Sequence, residues 1–310
     1  MAHRPKNPLI PTREGVSPSC VAIPFTQPAP WASVLQFLSE RLPVIAPGEW
    51  ARRLARGEVL DDHGQALAPE APCEPGARLY YWRHVEDEAE IPFEPQILFH
   101  DEHLLVADKP HFMPVTPSGR YVRHSLMVRL KQRTGLDSLN PIHRIDRETA
   151  GLVVFNLRPQ DRNAYHALFR ERAVDKAYEA IAPHDPTLAL PLTRRSRIEE
   201  DVEAFFRMVE AEGEPNSETR VERLEVRGAW ARYGLAPLTG KRHQLRVHLD
   251  ALGLPIAGDQ FYPRVRRGPD GVEDFTEPLR LLASAIAFTD PVTGQARRFE
   301  SARTLDWPLP

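Results

Sequence analysis

Hydrophobic and polar positions change their spacing along the chain. Residues 1–30 show no apolar period and are broken by Pro5, Pro8, Pro11, Pro18, Pro24, Pro28 and Pro30, which predicts an extended tail. From Trp31 the spacing becomes helical. Val34, Leu35 and Leu38 mark one side of a helix over Trp31–Leu42, and Pro47 and Gly57 bracket a second over Gly48–Arg56, since proline opens helices and glycine closes them. Gly57–Leu60 and Ala77–Arg83 read as strands, with a turn at His63-Gly64. Glu86–Pro95 is acidic and carries prolines, as linkers do. Strands then dominate. Leu104–Ala107 is stopped at Asp108-Lys109-Pro110, and Leu152–Phe155 is an apolar β-branched run that reads as a buried strand. Ala177–Ile181, period-2 runs between residues 195 and 238, Leu281–Phe288 and Ala296–Phe299 complete the strands. Helices are predicted over His124–Thr134, Asp161–Arg172 and Gln244–Leu252, the last ended by Gly253. The pattern is that of an α+β body over residues 89–310 behind a small module over 31–88.

Composition narrows the class. The 310 residues are 42% hydrophobic, enough for a sizeable core. No run approaches the ~20 apolar residues of a membrane span, and the first residues lack an apolar signal core, so the expected setting is cytoplasmic. Cys20 and Cys73 lie far apart without metal-type spacing. The net charge of −3 argues mildly against a nucleic-acid partner, but the distribution argues back. Residues 119–172 carry eleven Lys and Arg against five Asp and Glu, while acid gathers at Glu86–Glu90 and Glu199–Glu203. A local basic face can bind phosphates on a slightly acidic chain.

The candidate chemistry sits just before the apolar run. Asn140–Asn156 reads NPIHRIDRETAGLVVFN: one carboxylate, Asp146, among His143, Arg144 and Arg147, on a loop pinned to a core strand. Such a cluster is also compatible with an ordinary solvated ion-pair group. The HRID tetrad does not make a kinase, because that loop needs Asp directly after Arg, together with a Gly-rich loop and an Asp-Phe-Gly element, and none is present.

The stretch resembles the HRLDRxTSG signature of the RluA family of pseudouridine synthases, with Ile145 for the usual leucine and Ala150 for the usual serine. Ile97–Pro110 is similar to the family's first motif, Lys176–Ala180 (KAYEA) to its lysine-x-tyrosine motif, and Leu238–Tyr262 to its third block. These lie in the family's order over residues 95–300. The resemblance implies a long bent, mostly antiparallel sheet with flanking helices. It implies an enzyme that isomerises uridine in ribosomal or transfer RNA, acting as a monomer without metal or cofactor. By the same matches, Asp146 is the catalytic carboxylate, Arg246 its basic partner and Tyr178 the aromatic that lies against the target base. Arg144 would enter the space that a flipped base leaves. His143 and Arg147 would fix the loop or touch phosphates, and Lys241, Arg242 and Gln244 would meet the RNA backbone. Residues 31–88 are similar to an S4-type RNA-binding domain in their order of helix, helix, strand, turn and strand.

Two positions depart from the family pattern. Lys241 replaces an arginine, which removes any bidentate contact, and Leu282 replaces a histidine in the usual leucine-histidine-alanine. Two other readings compete. One is an S4-like RNA-binding or ribosome-associated protein that has lost catalysis, against which the intact Asp146, Tyr178 and Arg246 argue. The other is a hydrolase using Asp146 with His143, against which the missing Gly-x-Ser-x-Gly elbow argues.

Overall fold

The computed structural model describes residue 7 and residues 9–26, 29–83, 88–268 and 271–308. Parts of the expected tail (residues 1–6, 8, 27 and 28) and of the acidic linker (86 and 87) lie outside the described residues. The chain forms two compact units, one of residues 1–88, 119–123 and 128–137, the other of residues 89–118, 124–127 and 138–310.

In the first unit, β1 (Ser19–Ala22), α1 (Val34–Arg41), α2 (Pro47–Ala55), β2 (Val59–Leu60) and β3 (Arg78–Tyr81) follow one another. The three strands make an antiparallel sheet in the order β1-β3-β2. Ser33 caps α1 by accepting from the Gln36 backbone N–H at 3.3 Å, and Pro47 opens α2, as the sequence suggests. Phe37, Leu38, Trp50 and Leu79 are buried at its centre. Strand β1 was not expected, because prolines hide its alternation. Pro18 and Pro24 fall just outside it, and Val21 and Ile23 point onto the core. Of the three arginines at α2, Arg53 turns inward to Glu49 (2.8 Å) and the Trp82 carbonyl (3.4 Å), whereas Arg52 and Arg56 are exposed.

The second unit is built on an eleven-stranded sheet. In chain order its elements are β4 (Gln96–His100), β5 (Leu104–Lys109), α3 (Leu126–Thr134, which begins here), β6 (Asn140–Pro141), β7 (Ala150–Asn156), α4 (Arg162–Arg170), β8 (Val174–Pro183), β9 (Leu192–Glu200), β10 (Met208–Ala211), β11 (Ser217–Arg227), β12 (Trp230–Pro237), α5 (Gln244–Ala251), β13 (Leu281–Thr289) and β14 (Ala296–Glu300). The strand order is β10-β9-β11-β12-β8-β13-β7-β5-β4, with β14 on β13 and β6 on β7. Every pairing is antiparallel except β7 with β13. The α+β class with a large, mostly antiparallel sheet is therefore present. One core lies under α5, with Leu249, Tyr233 and Ala180, and another under α4, with Tyr165, Val154 and Phe288. Among the described residues no helix is long and apolar enough to cross a membrane.

Two features fix the neighbourhood of the site. The parallel join of β7 to β13 brings Gly151 against Ala283, at φ +109°, where an added Cβ would stand 2.3 Å from the Ala283 carbonyl oxygen. Only glycine allows that approach, and it lies at the second position of β7, two residues after Thr149. Second, β5 runs through Asp108 and Lys109 rather than ending before them. Both are fully buried. Neither buried group lacks a partner: Asp108 accepts from Ser301 Oγ (2.9 Å) and the Ala302 N–H (2.8 Å), and Lys109 donates to two carbonyls.

Candidate active site

Strands β6 and β7 pair as a hairpin, and residues 142–149 form its loop. The loop is tied down from several sides. Lys109 Nζ donates to the carbonyls of Pro110 (2.9 Å) and Arg147 (3.0 Å), and His111 Nδ1 donates to the Glu148 carbonyl (2.7 Å). The Thr149 N–H closes the turn on the Asp146 carbonyl at 3.2 Å. Burial pushes the Lys109 ammonium down to about 7, with Glu148 and Asp146 opposing that shift, and it pushes His111 down to about 4. Lys109 carried no role in the sequence reading. The Asp-Lys-Pro end of β5 reads in the sequence as a strand stop that closes the Ile97–Pro110 motif.

All nine site residues expected from the sequence line one cavity of about 580 Å³, together with Lys176 and Thr149. Asp146 faces it with a side chain 24% exposed. Arg246 comes from α5, whose other inward residues, Leu245 and Leu249, anchor the helix in the core. Its Nη1 lies 3.6 Å from Asp146 Oδ2, so the expected pair is present. The main partner of Arg246, however, is Asp259, which the sequence reading missed. Nε and Nη2 donate to its two oxygens at 2.8 and 2.6 Å, and both side chains are at 0% exposure. Asp259 also accepts from the N–H groups of Phe261 (2.8 Å) and Tyr262 (3.1 Å). It is placed by Gly258, at φ +77°, where a Cβ would stand 2.2 Å from the Pro278 carbonyl oxygen. The guanidinium plane is flanked by the rings of Phe261 and Tyr262 at 5.0 and 5.2 Å. Nη1 makes no hydrogen bond and is aimed at Asp146. A forked cation thus has two donors fixed by one carboxylate and the third held toward another.

The electrostatics follow. Burial opposes the charge on Arg246, but Asp259 and then Asp146 outweigh it and hold the guanidinium above its ordinary value. Burial pushes the Asp146 carboxyl up. Arg246 offsets this only in part, because Asp259 shares its charge and itself adds to the rise, while Lys109 opposes it weakly. Tyr178, on β8 opposite Ala283 of β13 and Leu235 of β12, lines the same cavity. Burial, then the Asp146 charge, raises its phenol, which therefore stays protonated.

The other expected residues divide. Arg144 is exposed and makes no ion pair among the described residues. His143 stacks on Phe169 (5.0 Å, 18°), and its Nε2 accepts from the Val154 N–H at 3.1 Å. Burial, then Lys176, pushes it down to about 3, so it is a neutral fastener of the loop. Arg147 donates to the Phe112 carbonyl (3.0 Å) and to Glu273, so its head is held by the protein. Gln244 was expected to meet RNA backbone but is 4% exposed. Its amide accepts from Thr239 Oγ1 (2.7 Å) and the Lys241 N–H (3.0 Å) and donates to Glu218 O (3.0 Å) and Thr219 Oγ1 (2.9 Å). At the start of α5, with His243 at φ +54°, the amide shapes the turn instead. Lys241 and Arg242 are exposed, Arg242 donating to the carbonyls of Phe205 (2.6 Å) and Arg207 (3.0 Å).

Comparison with known proteins identifies the family. Residues 103–251 match the family model described as RNA pseudouridylate synthase. An uncharacterized RNA pseudouridine synthase of Synechocystis is 31% identical over 242 residues, covering 77% of this chain and 80% of that protein. The dual-specificity RNA pseudouridine synthase RluA of Haemophilus influenzae is 30% identical over 232 residues, covering 68% of this chain and 94% of its own. Among solved structures, human RNA pseudouridylate synthase domain containing 1 shares the fold at a TM-score of 0.54 and 24% identity, over 68% of this chain and 84% of that one.

Proposed function

This chain belongs to the RluA family of RNA pseudouridine synthases, and from that premise we propose that Asp146, Arg246 and Tyr178 isomerise a uridine of structured ribosomal or transfer RNA in the cytoplasm. Relatives named for a tRNA position and for the large ribosomal subunit act on those two classes. The observation that carries the assignment is the convergence of the three side chains on one cavity, with the free nitrogen of Arg246 aimed at Asp146.

In the reaction the N1–C1′ bond breaks, the base turns, C5 bonds to C1′, C5 loses a proton and N1 gains one. The ionised Asp146 captures or stabilises C1′ as the bond opens, and Arg246 keeps that carboxylate charged and oriented. Tyr178 supplies a wall for the base. A phenol held neutral is a weak base toward carbon, so it removes the C5 proton only if its own proton leaves in the same step. The uridine must first leave its stack, at a cost of a few kcal/mol. Arg144, exposed at the mouth, can enter the gap, where a guanidinium plane both stacks and hydrogen-bonds. The direct test is tritium release from 5-tritiated uridine in ribosomal and transfer RNA, without added metal or cofactor. Release is expected, and no release from either RNA would favour the non-catalytic RNA-binding reading.

The module over residues 31–88 is assigned as an S4-like RNA contact through the exposed Arg52 and Arg56. Its deletion should flatten the salt dependence of RNA affinity by a slope of about 0.7–0.9 per lost contact. An unchanged slope would make the module structural.

A further inference from the structure

A second, smaller cavity of about 240 Å³ adjoins the first, and Lys176 and Pro237 line both. Its floor is short-chained: Ala177 on β8, Ala236 on β12, and Ala285 and Ala287 on β13. Nothing beyond a Cβ stands up from these positions, so an extended chain can lie close to the sheet. Two cations line it, Lys176, which also lines the first cavity, and Arg172.

These two cations line the same cavity, and Arg172 acts electrostatically on Lys176. Among the described residues Lys176 Nζ donates only to the neutral Thr239 carbonyl, at 3.0 Å. Burial, then Arg172, pushes its ammonium down to about 8, and no acid opposes that shift. Arg172 is exposed and has no ion pair among the described residues. The carboxylate that feels Arg172 is Glu218, which is already bonded to Arg195 at 2.9 Å. Of the other charged groups lining the cavity, Arg298 is bonded to Glu300 at 2.7 Å, and Asp175 is exposed. Two like charges kept together without a counter-ion repel one another. An anion placed between them removes that repulsion and gains two charge-assisted contacts.

We propose that Arg172 and Lys176 form a phosphate site at the junction of the two cavities, which holds a backbone phosphodiester of the RNA strand next to the flipped uridine, while the neighbouring nucleotide lies along the alanine floor. This rests on the reading of the first cavity as a synthase site. One end of the substrate strand is then held at a fixed distance from Asp146, so the contact contributes to binding rather than to the chemical step.

The test uses the full-length protein and Arg172→Gln, which keeps the stem and removes the charge. RNA affinity is measured from low to moderate salt, and tritium release is followed on the same RNA. The expected result is a several-fold weaker Kd and raised KM, an unchanged kcat, and a salt slope smaller by about 0.7. An unchanged slope and KM, with wild-type release intact, would overturn the phosphate site while leaving the synthase reading in place. Absence of release by the wild type would overturn that reading first. Inorganic phosphate as a competitor separates the two sources of the anion. If Arg172→Gln loses inhibition by phosphate but keeps the RNA slope, the site serves a free anion and the strand assignment is wrong.

Discussion

Asp146→Asn abolishes tritium release from 5-tritiated uridine in RNA and leaves RNA affinity unchanged or slightly tighter. The substitution keeps size and removes the charge and nucleophilicity. Loss of a catalytic group of this kind costs on the order of 10⁴–10⁶ in turnover. Binding survives because Arg144 and Lys241 remain at the exposed rim of the cavity, and one repulsive charge is gone. Equal release by both proteins would mean that another carboxylate does the chemistry. The wild type carries a matching pH signature. Asp146 acts when ionised, and burial pushes its carboxyl up, so kcat/KM must fall as pH drops through that raised value. The acid limb should therefore lie above the ~3.9 of a free aspartate. A limb at or below that value would show that Arg246, not burial, governs the group.

Arg246→Ala should be both inactive and destabilised, and the two effects can be separated. Removing the guanidinium leaves the Asp259 carboxyl fully buried with two backbone N–H groups as its remaining donors. Breaking a buried pair costs ~3–5 kcal/mol, or a fall in Tm of roughly 5–8 °C for a chain of this size. The double variant Arg246→Met with Asp259→Asn removes both charges, so most of the lost stability should return in a thermal melt while tritium release stays absent. If activity returned along with stability, the arginine would be a structural residue and not the partner of Asp146. If Arg246→Ala melted like the wild type, the bidentate pair would not be what holds α5 to the turn after Gly258.

Much of this was visible in local pattern. Period-2 and period-3.6 spacing located most strands and helices to within a few residues, because such periods arise from which side of an element is buried. The carboxylate loop was visible because its chemistry is contiguous: His143, Arg144, Asp146 and Arg147 sit within five residues. Tyr178 and Arg246 were legible through short motifs in a fixed order, and the structure brings both to the loop. Strand β1 was not legible, because four residues between prolines carry too few alternations to register.

What only the tertiary structure decided is how each charge is matched. From the sequence, Arg246 could be given one partner, yet the fork takes its two shorter bonds from Asp259, thirteen residues on, because the turn at Gly258 brings that carboxylate under α5. The sequence offers Gln244 as a contact to RNA backbone and Arg147 as a loop fastener or phosphate contact, and folding points the heads of both at protein partners. Lys109 looked like the end of a strand and is instead a buried donor beneath the loop. The chain's order determined which groups and elements are available. Whether a given cation is buried, paired or left free depends on the distance to segments far away along the chain, and no local period carries that distance.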